Sequence, residues 1–243
     1  MRGWWHEITG LVLPVACGGC GTPRTPLCEE CADALHGTAA RRARPVPEPP
    51  GLPAVYAAAP YEDAVRAVLL AHKERGVLGL ARPLGSALAG AVRATVLRAG
   101  PERGEGPLLL VPVPSARRAV RARGHDAARR IALAAAGELR RTGTEARALP
   151  VLRQRRAVAD QSGLSARLRV ANLAGALEVR AGAERLLEGG RAVLVDDLMT
   201  TGASLVEAAR ALRAGAGRGF SGFLQLGAAV VAVPPQSFEM NRN

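Results

Sequence analysis

Long apolar runs are missing from this 243-residue chain. No stretch approaches the eighteen or so apolar residues that a membrane-spanning helix requires, so no span is expected. Lysine is almost missing as well: of 33 basic residues, only Lys73 is a lysine. Near-exclusive use of Arg, with abundant Ala and Gly and only 3% aromatic residues, points to a coding bias that favours Arg everywhere. That bias weakens what the formal charge of +12 would otherwise suggest. Arginine supplies most non-specific affinity for nucleic acids, so such a partner stays open, but a positive surface follows from the bias alone. No Gly-x4-Gly-Lys occurs anywhere, which excludes a Walker-type nucleotide loop.

At this length one sizeable α/β core with a small appendage is expected. The start, MRGWWHEITGLVLPVAC, faintly resembles a lipoprotein signal leading into Cys17. Its single early Arg is offset by Glu7, and Pro14 sits where a leucine would be wanted. The expectation is a cytoplasmic protein whose first apolar residues pack on its own body.

All four cysteines fall in one short stretch, Cys17-x2-Cys20-x7-Cys28-x2-Cys31. Two Cys-x2-Cys turns let two pairs of thiolates reach one metal and complete a tetrahedral zinc site. The spacer is short, so the module must be compact. Disulfides would need an oxidising compartment that nothing here implies, and an iron–sulfur cluster is the remaining rival. Structural Zn2+ is the favoured reading.

The stretch AVLVDDLMTTGASLVEAARALRAG, residues 192–215, carries the most chemistry. Ala192 to Val195 suits a strand buried on both faces. Leu205, Ala208, Ala209 and Leu212 then recur at helical spacing, and Gly215 follows where a left-handed stop would sit. In a strand–loop–helix unit the loop lies at the carboxyl end of the strand, and the N–H groups of residues 200–204 point outward at a helix N-terminus. That is an anion site, with hydroxyls from Thr200, Thr201 and Ser204, backbone from Ala203, and close approach allowed by Gly202. Asp196 and Asp197 would repel the same anion, so they suit vicinal hydroxyls one sugar away. The competing account is a connection whose Asp and Thr merely cap and turn, for which one of them would suffice. The stretch has no Gly-x-Gly-x-x-Gly of dinucleotide binders.

Along the rest of the chain, residues 37–53 are Arg-rich, then Pro-rich, and suit a linker. AVYAAAPY suits an edge strand, and EDAVRAVLLAHKERG a helix burying Val65, Val68 and Leu69. A second helix is expected over about 82–99, a buried strand at 108–114, and a helix from RGHDAARRIALAAAGELRR with Asp126 near its start. Short strands are expected at 147–152, 175–180 and 228–233. Alternation of strands and helices implies a doubly wound, mostly parallel sheet. VPVPSARRAVRARGHD places Arg117, Arg118, Arg121 and Arg123 in a loop at a strand's carboxyl end, where they would face pyrophosphate or form a solvated face. Residues 151–179 are long, polar and basic, suited to a lid, with Gln161, Arg167, Arg169 and Asn172 as candidates for closing over a charged substrate. Lys73, surviving alone under the bias, suits an ammonium held against phosphate or carboxylate.

VLVDDLMTTGAS closely resembles the phosphoribosyl pyrophosphate signature of type I phosphoribosyltransferases. With the four-cysteine module, AHKERG, VPVPSARRAVRARGHD and QSGLSARLRVAN in order, nearly the whole chain resembles the ComF family of phosphoribosyltransferase-like proteins. RGHD stands where that family usually shows Arg-Gly-Phe-Asn, and Val158 near a position where Thr is common; both bear on turnover more than on ligand binding. The resemblance implies a type I phosphoribosyltransferase-like domain over 46–243 and a zinc-ribbon-like module with the start of a linker over 1–45. It implies ribose held by Asp196 and Asp197, 5-phosphate held by residues 200–204, diphosphate facing Arg117, Arg118 and Lys73, and catalytic closure by Arg167 and Arg169. Mg2+ would ride with the donor, phosphoribosyl pyrophosphate, and a homodimer is left open. The acceptor is not legible. The alternative is a non-catalytic protein that binds a phosphoribosyl ligand or single-stranded DNA and serves DNA uptake with its partner proteins, since ComF relatives are associated with competence.

Overall fold

The computed structural model describes residues 15–98, 106–158, 165–215 and 226–239. Gln161 and the first apolar residues of the chain lie outside them. In chain order the elements are α1 (Glu29–His36), β1 (Arg41–Ala43), β2 (Ala54–Pro60), α2 (Asp63–Lys73), α3 (Ala81–Leu97), β3 (Leu108–Pro112), α4 (Arg117–Arg123) and α5 (Ala127–Arg141). There follow β4 (Ala146–Ala148), β5 (Leu152–Gln154), α6 (Ala166–Leu173), β6 (Leu177–Val179), α7 (Glu184–Leu187), β7 (Arg191–Leu198), α8 (Ala203–Gly215) and β8 (Gly227–Val233).

Six strands form one sheet in the order β1-β2-β8-β7-β3-β4, with every pairing parallel except β1 to β2. Strands β3 and β8 are buried along their whole length, as β-branched and Leu-rich strands covered on both faces should be. Alternation sends Leu108, Leu110, Val193 and Val195 to one face, against Leu84 and Leu88 of α3 and Ile131 and Leu139 of α5. Leu109, Leu194 and Val230 face the other way, against Leu205 and Leu212 of α8. Small residues let these layers close tightly: a side chain on Gly85 of α3 would overlap Ala134 of α5. A mixed α/β architecture with a mostly parallel sheet between helices is therefore as expected. No helix of the described residues is long and apolar enough to cross a membrane.

Four expectations are corrected. AVYAAAPY is not an edge strand, because β1, drawn from the expected linker, pairs outside it and buries Val55 to Ala59. The sheet thus begins at Arg41, ahead of residue 46. The true edge is blunted by arginines: Arg41 stacks 4.1 Å over Phe238, and Arg44 pairs with Glu239 at 2.7 Å. The expected strand at 147–152 is two strands interrupted at Pro150, which has no N–H for a ladder. Of these, β5 leaves the main sheet and pairs with β6 in a separate antiparallel ribbon, so 175–180 does not join the main sheet either. Finally, Gly215 is no left-handed stop. It lies inside α8, and a Cβ there would come within 2.5 Å of Val179, so close approach to the ribbon is what requires glycine.

The ribbon is pinned to α8 by a buried carboxylate. Glu207, 3% exposed, accepts from the Leu177 N–H at 2.9 Å and pairs with Arg210 at 2.7 Å, while Arg210 donates to the Leu177 carbonyl. Burial opposes its charge, but Arg210 and the backbone N–H groups outweigh that and hold the Glu207 carboxyl below its usual range. A depressed folded value means stability that is present above the ordinary Glu pKa and lost as pH falls through the folded one. Glu207→Gln should therefore cost about 1–3 kcal/mol near neutral pH and progressively less in acid, as read by urea unfolding at several pH values. Equal cost at every pH would contradict this assignment.

Candidate functional site

The loop after β7 is built as the strand–loop–helix pattern requires. Strand β7 runs on through both acids to Leu198, and the Met199 N–H still bonds to Ala232 at 3.1 Å. The chain then reverses at Gly202, whose φ of 76° a side-chain-bearing residue adopts only with strain. Its carbonyl accepts from the Val206 N–H at 3.0 Å and so begins α8. The N–H groups of Thr200, Thr201 and Gly202 meet no backbone acceptor among the described residues. Ala203 and Ser204 open the helix, where the first N–H groups have no intrahelical partner. Five consecutive donors are thus presented at one helix start.

The paired acids differ in their surroundings. Asp196 turns back on its own strand and accepts from the Asp197 N–H at 2.8 Å. Desolvation by the surrounding protein and then the neighbouring Asp197 charge push its carboxyl above the usual range, although part of the side chain reaches solvent. Asp197, 5% exposed, points to the opposite face and meets Lys73 Nζ at 2.7 Å. Burial alone would lower the Lys73 pKa, but the charge of Asp197 and its hydrogen bond, with Asp196 behind, raise it. The solitary lysine is therefore placed against carboxylate, the second of the two partners its chemistry suggested.

A lock that sequence reading missed holds Lys73 there. The end of α2 meets the RGHD turn: Glu74 pairs with Arg123 at 2.7 Å, and His125 Nε2 lies 3.1 Å from the His72 carbonyl. The two imidazoles stack obliquely with centroids 5.6 Å apart. His72 is fully buried, and burial lowers its pKa, so it packs as a neutral ring. AHKE and RGHD were each visible in the sequence, but their contact spans about fifty residues and carries no local signal.

The expected arginine loop is a helix, α4, ended by Gly124 in the left-handed region with φ 76°. The Arg117 guanidinium donates to the Gln154 carbonyl at 2.9 Å, latching α4 to β5. Arg118 is exposed and without a partner among the described residues. The expected lid is also partly helical. Ser165 caps α6 by accepting from the Leu168 N–H, and Arg156 closes its other end on the carbonyls of Asn172 and Ala174, each at 2.8 Å. Leu173, Ala176, Val158 and Val170 then pack α6 on Ala203. That brings Arg169 Nη1 to 3.5 Å from Thr200 Oγ1, with its buried Nε unpaired. Arg167 on the same helix is exposed.

These groups converge where the sheet changes direction. From β3 the chain crosses outward to β4 over α5, and later enters β7 on the other side of β3 and crosses away over α8. Ligand crevices of open α/β sheets form at the carboxyl ends of such a strand pair. Here the Val113 N–H bonds to Val195 at 2.9 Å just before the two loops part.

At the N-terminus, Cys17 and Cys20 ride on a turn, Cys28 caps α1 and Cys31 lies in its first turn. Helix N-termini favour thiolate. No disulfide forms; the four sulfurs lie within 4.8 Å of one another, with Cys17–Cys28 at 3.7 Å and Cys20–Cys28 at 3.5 Å. A tetrahedral shell with Zn–S near 2.3 Å has edges of about 3.8 Å, so the set is compatible with a metal site such as zinc. Burial opposes ionisation of Cys17, yet N–H groups of Cys28, Cys20 and Gly19 aimed at its sulfur bring it to about 6. Burial and then the neighbouring sulfurs push Cys31 up, a conflict that a bound cation would remove. The pairs sit on a knuckle and a helix; one bridge, Ala16 to Pro23, is the module's only strand-like pairing among the described residues.

A scan against models of known protein families matches none, and a search of curated proteins returns no match.

Removing the lysine tests the ion pair. Lys73→Met leaves Asp197 buried without its cation, so stability should fall by about 1–3 kcal/mol at pH 8. Pairing with Asp197 raises the Lys73 pKa, so the contribution is full below the ordinary lysine value and the loss should shrink at about pH 11, as pH rises toward the folded one. Denaturant unfolding at the two pH values checks this, and a pH-independent loss would mean that the lysine acts through its aliphatic stem.

Proposed function

We propose that the chain is a type I phosphoribosyltransferase of the ComF kind, which binds phosphoribosyl pyrophosphate and transfers its phosphoribosyl group to a nucleophilic acceptor. The observation that carries this reading is the pairing of two acids with a donor-rich turn at the carboxyl end of β7, beside the end of β3. A phosphate and a vicinal diol one sugar apart match both halves. In this reading the N–H groups and hydroxyls of Thr200 to Ser204 hold the 5-phosphate, and Arg169 closes over it. Asp197 accepts from the ribose hydroxyls, with Lys73 holding its other side. Asp196, which already accepts from the Asp197 N–H, offers its carboxyl to the second hydroxyl. Arg118 and Arg167, exposed and unpartnered, neutralise the diphosphate. The acceptor forms its bond to the ribosyl C1 while the C1–O bond breaks and diphosphate leaves with the electron pair. Catalysis is then positioning and charge stabilisation of a cation-like sugar. Mg2+ carried on the donor's own oxygens would supply further neutralisation.

The reading predicts separable effects. Asp197→Asn should weaken the donor by about 1–3 kcal/mol in calorimetry and leave inorganic phosphate unchanged or tighter, whereas Arg169→Ala should weaken both. Diphosphate released from the donor with at least one ring-nitrogen acceptor would establish transfer. Binding without release for every acceptor tried would make the chain a phosphoribosyl sensor, and equal loss of both ligands in Asp197→Asn would remove the acids from the ribose.

For the cysteine cluster we infer one structural Zn2+, since four thiolates fill a tetrahedral shell and leave no open position. Elemental analysis should find about one zinc per chain. Cys28→Ser should lower thermal stability far more than donor affinity, since the cluster adds no group to the β7 loop. Iron in place of zinc, or two disulfides by mass spectrometry, would overturn the assignment.

A further inference from the structure

On the other flank of β3 from the paired acids lies a second concavity, a cavity of ≈ 590 Å3. That is the size of a small-molecule site. Its apolar floor comes from Pro112 and Pro114 at the end of β3, Val120 of α4, Pro150 ahead of β5 and Leu152 at its start. Around the floor stand Arg117, Arg121, Arg129, Arg153 and Arg180. No residue from 196 to 204 lines it, so it is separate from the anion loop of β7.

Most of the internal bonds of these groups are already settled. Asp126, the one carboxylate present, accepts from Ser115 and from the Arg129 N–H, and so serves the turn and the start of α5. Arg153 is paired with Glu178 at 2.9 Å, and Arg117 is spent on Gln154. The guanidinium groups of Arg121, Arg129 and Arg180 have no hydrogen bond or ion pair among the described residues. Arg121 lies on α4, Arg129 on α5 and Arg180 just after β6, and all three line the one cavity. Three unspent forks are more than a single carboxylate can use, but a phosphate dianion offers three oxygens to them. Phosphate alone would leave the proline and leucine floor uncovered, and a neutral ring alone would leave the cations unanswered. A flat ring joined to a phosphate satisfies both.

We propose that this pocket binds a mononucleotide unit, its ring on the floor of Pro112, Pro150 and Leu152 and its phosphate among Arg121, Arg129 and Arg180. The site is independent of donor binding at β7. A free mononucleotide and the terminal nucleotide of a single strand share this chemistry.

The test uses the full chain and three probes in equilibrium titrations: adenosine monophosphate, inorganic phosphate, and a short single-stranded oligonucleotide with a 5′-phosphate. The monophosphate should bind more tightly than inorganic phosphate. Arg121→Ala and Arg180→Ala should each weaken it by about tenfold, the scale of one charge-assisted contact, with unchanged melting temperature because both side chains are exposed and unpartnered. Asp197→Asn should leave it alone, so that loss of donor binding at β7 and loss of this site are told apart. An oligonucleotide that binds better than the monophosphate, with the same dependence on both arginines, assigns the pocket to strand ends; weaker binding assigns it to free nucleotides. Monophosphate binding that ignores both arginine variants, or that is no tighter than inorganic phosphate, overturns the proposal, as does the absence of binding by any ring-bearing probe.

Discussion

The parallel pairing of β3 with β7 is the constraint from which the site follows. Five register pairs and the extra bond from Val113 to Val195 carry the two strands side by side to the same edge. Beyond that edge no ladder remains to pair their backbones, and the chains must leave in opposite directions, one over α5 and one over α8. Unpaired N–H groups, two carboxylates and a helix start are brought to one crevice by that divergence alone. The lysine on Asp197, α6 packed on Ala203 and the ribbon pinned to α8 brace this opening.

The bracing is done with charge because the composition offers little else. With aromatics scarce, the layers close on Ala, Val and Leu, and the peripheral elements are held by arginines that end on backbone carbonyls. Arg117 on Gln154, Arg156 on Asn172 and Ala174, and Arg210 on Leu177 are three cases of one solution. A planar fork can satisfy two acceptors at once, which suits the ragged ends of short helices and ribbons. Many of the 33 basic residues are therefore fastenings, and the net charge overstates how much cation is free for a partner.

What the sequence disclosed was local in origin. The run ending in Asp196 and Asp197, the glycine turn and the helix after it are contiguous, so period and punctuation were enough to place them. The same holds for Asp126 as the cap of α5 and for the two cysteine turns. What it concealed was set by contacts between distant segments. Nothing near Arg41 announces that it will pair with Ala57, and a three-residue strand is too short for a pattern. The ribbon was hidden because Leu152 and Leu177 look like any buried strand positions until their partner is known. Gly215 had the right neighbours for a stop and a different reason for being glycine, namely the side chain of Val179.

The proline-rich segment before β2 has a consequence for how the molecule can be divided. A Cβ on Gly202 would lie 2.8 Å from Leu52 and 3.5 Å from Pro49, so this segment backs the tightest turn of the anion loop. Upstream of it, β1 already belongs to the main sheet. A cut anywhere between β1 and β2 would therefore not release two self-sufficient pieces. It would strip an edge strand from the larger piece and, if placed after Leu52, the packing behind Gly202 as well. What looks like a tether in the sequence is the rear wall of the loop, and the molecule is divisible on paper at a point where it is not divisible in space.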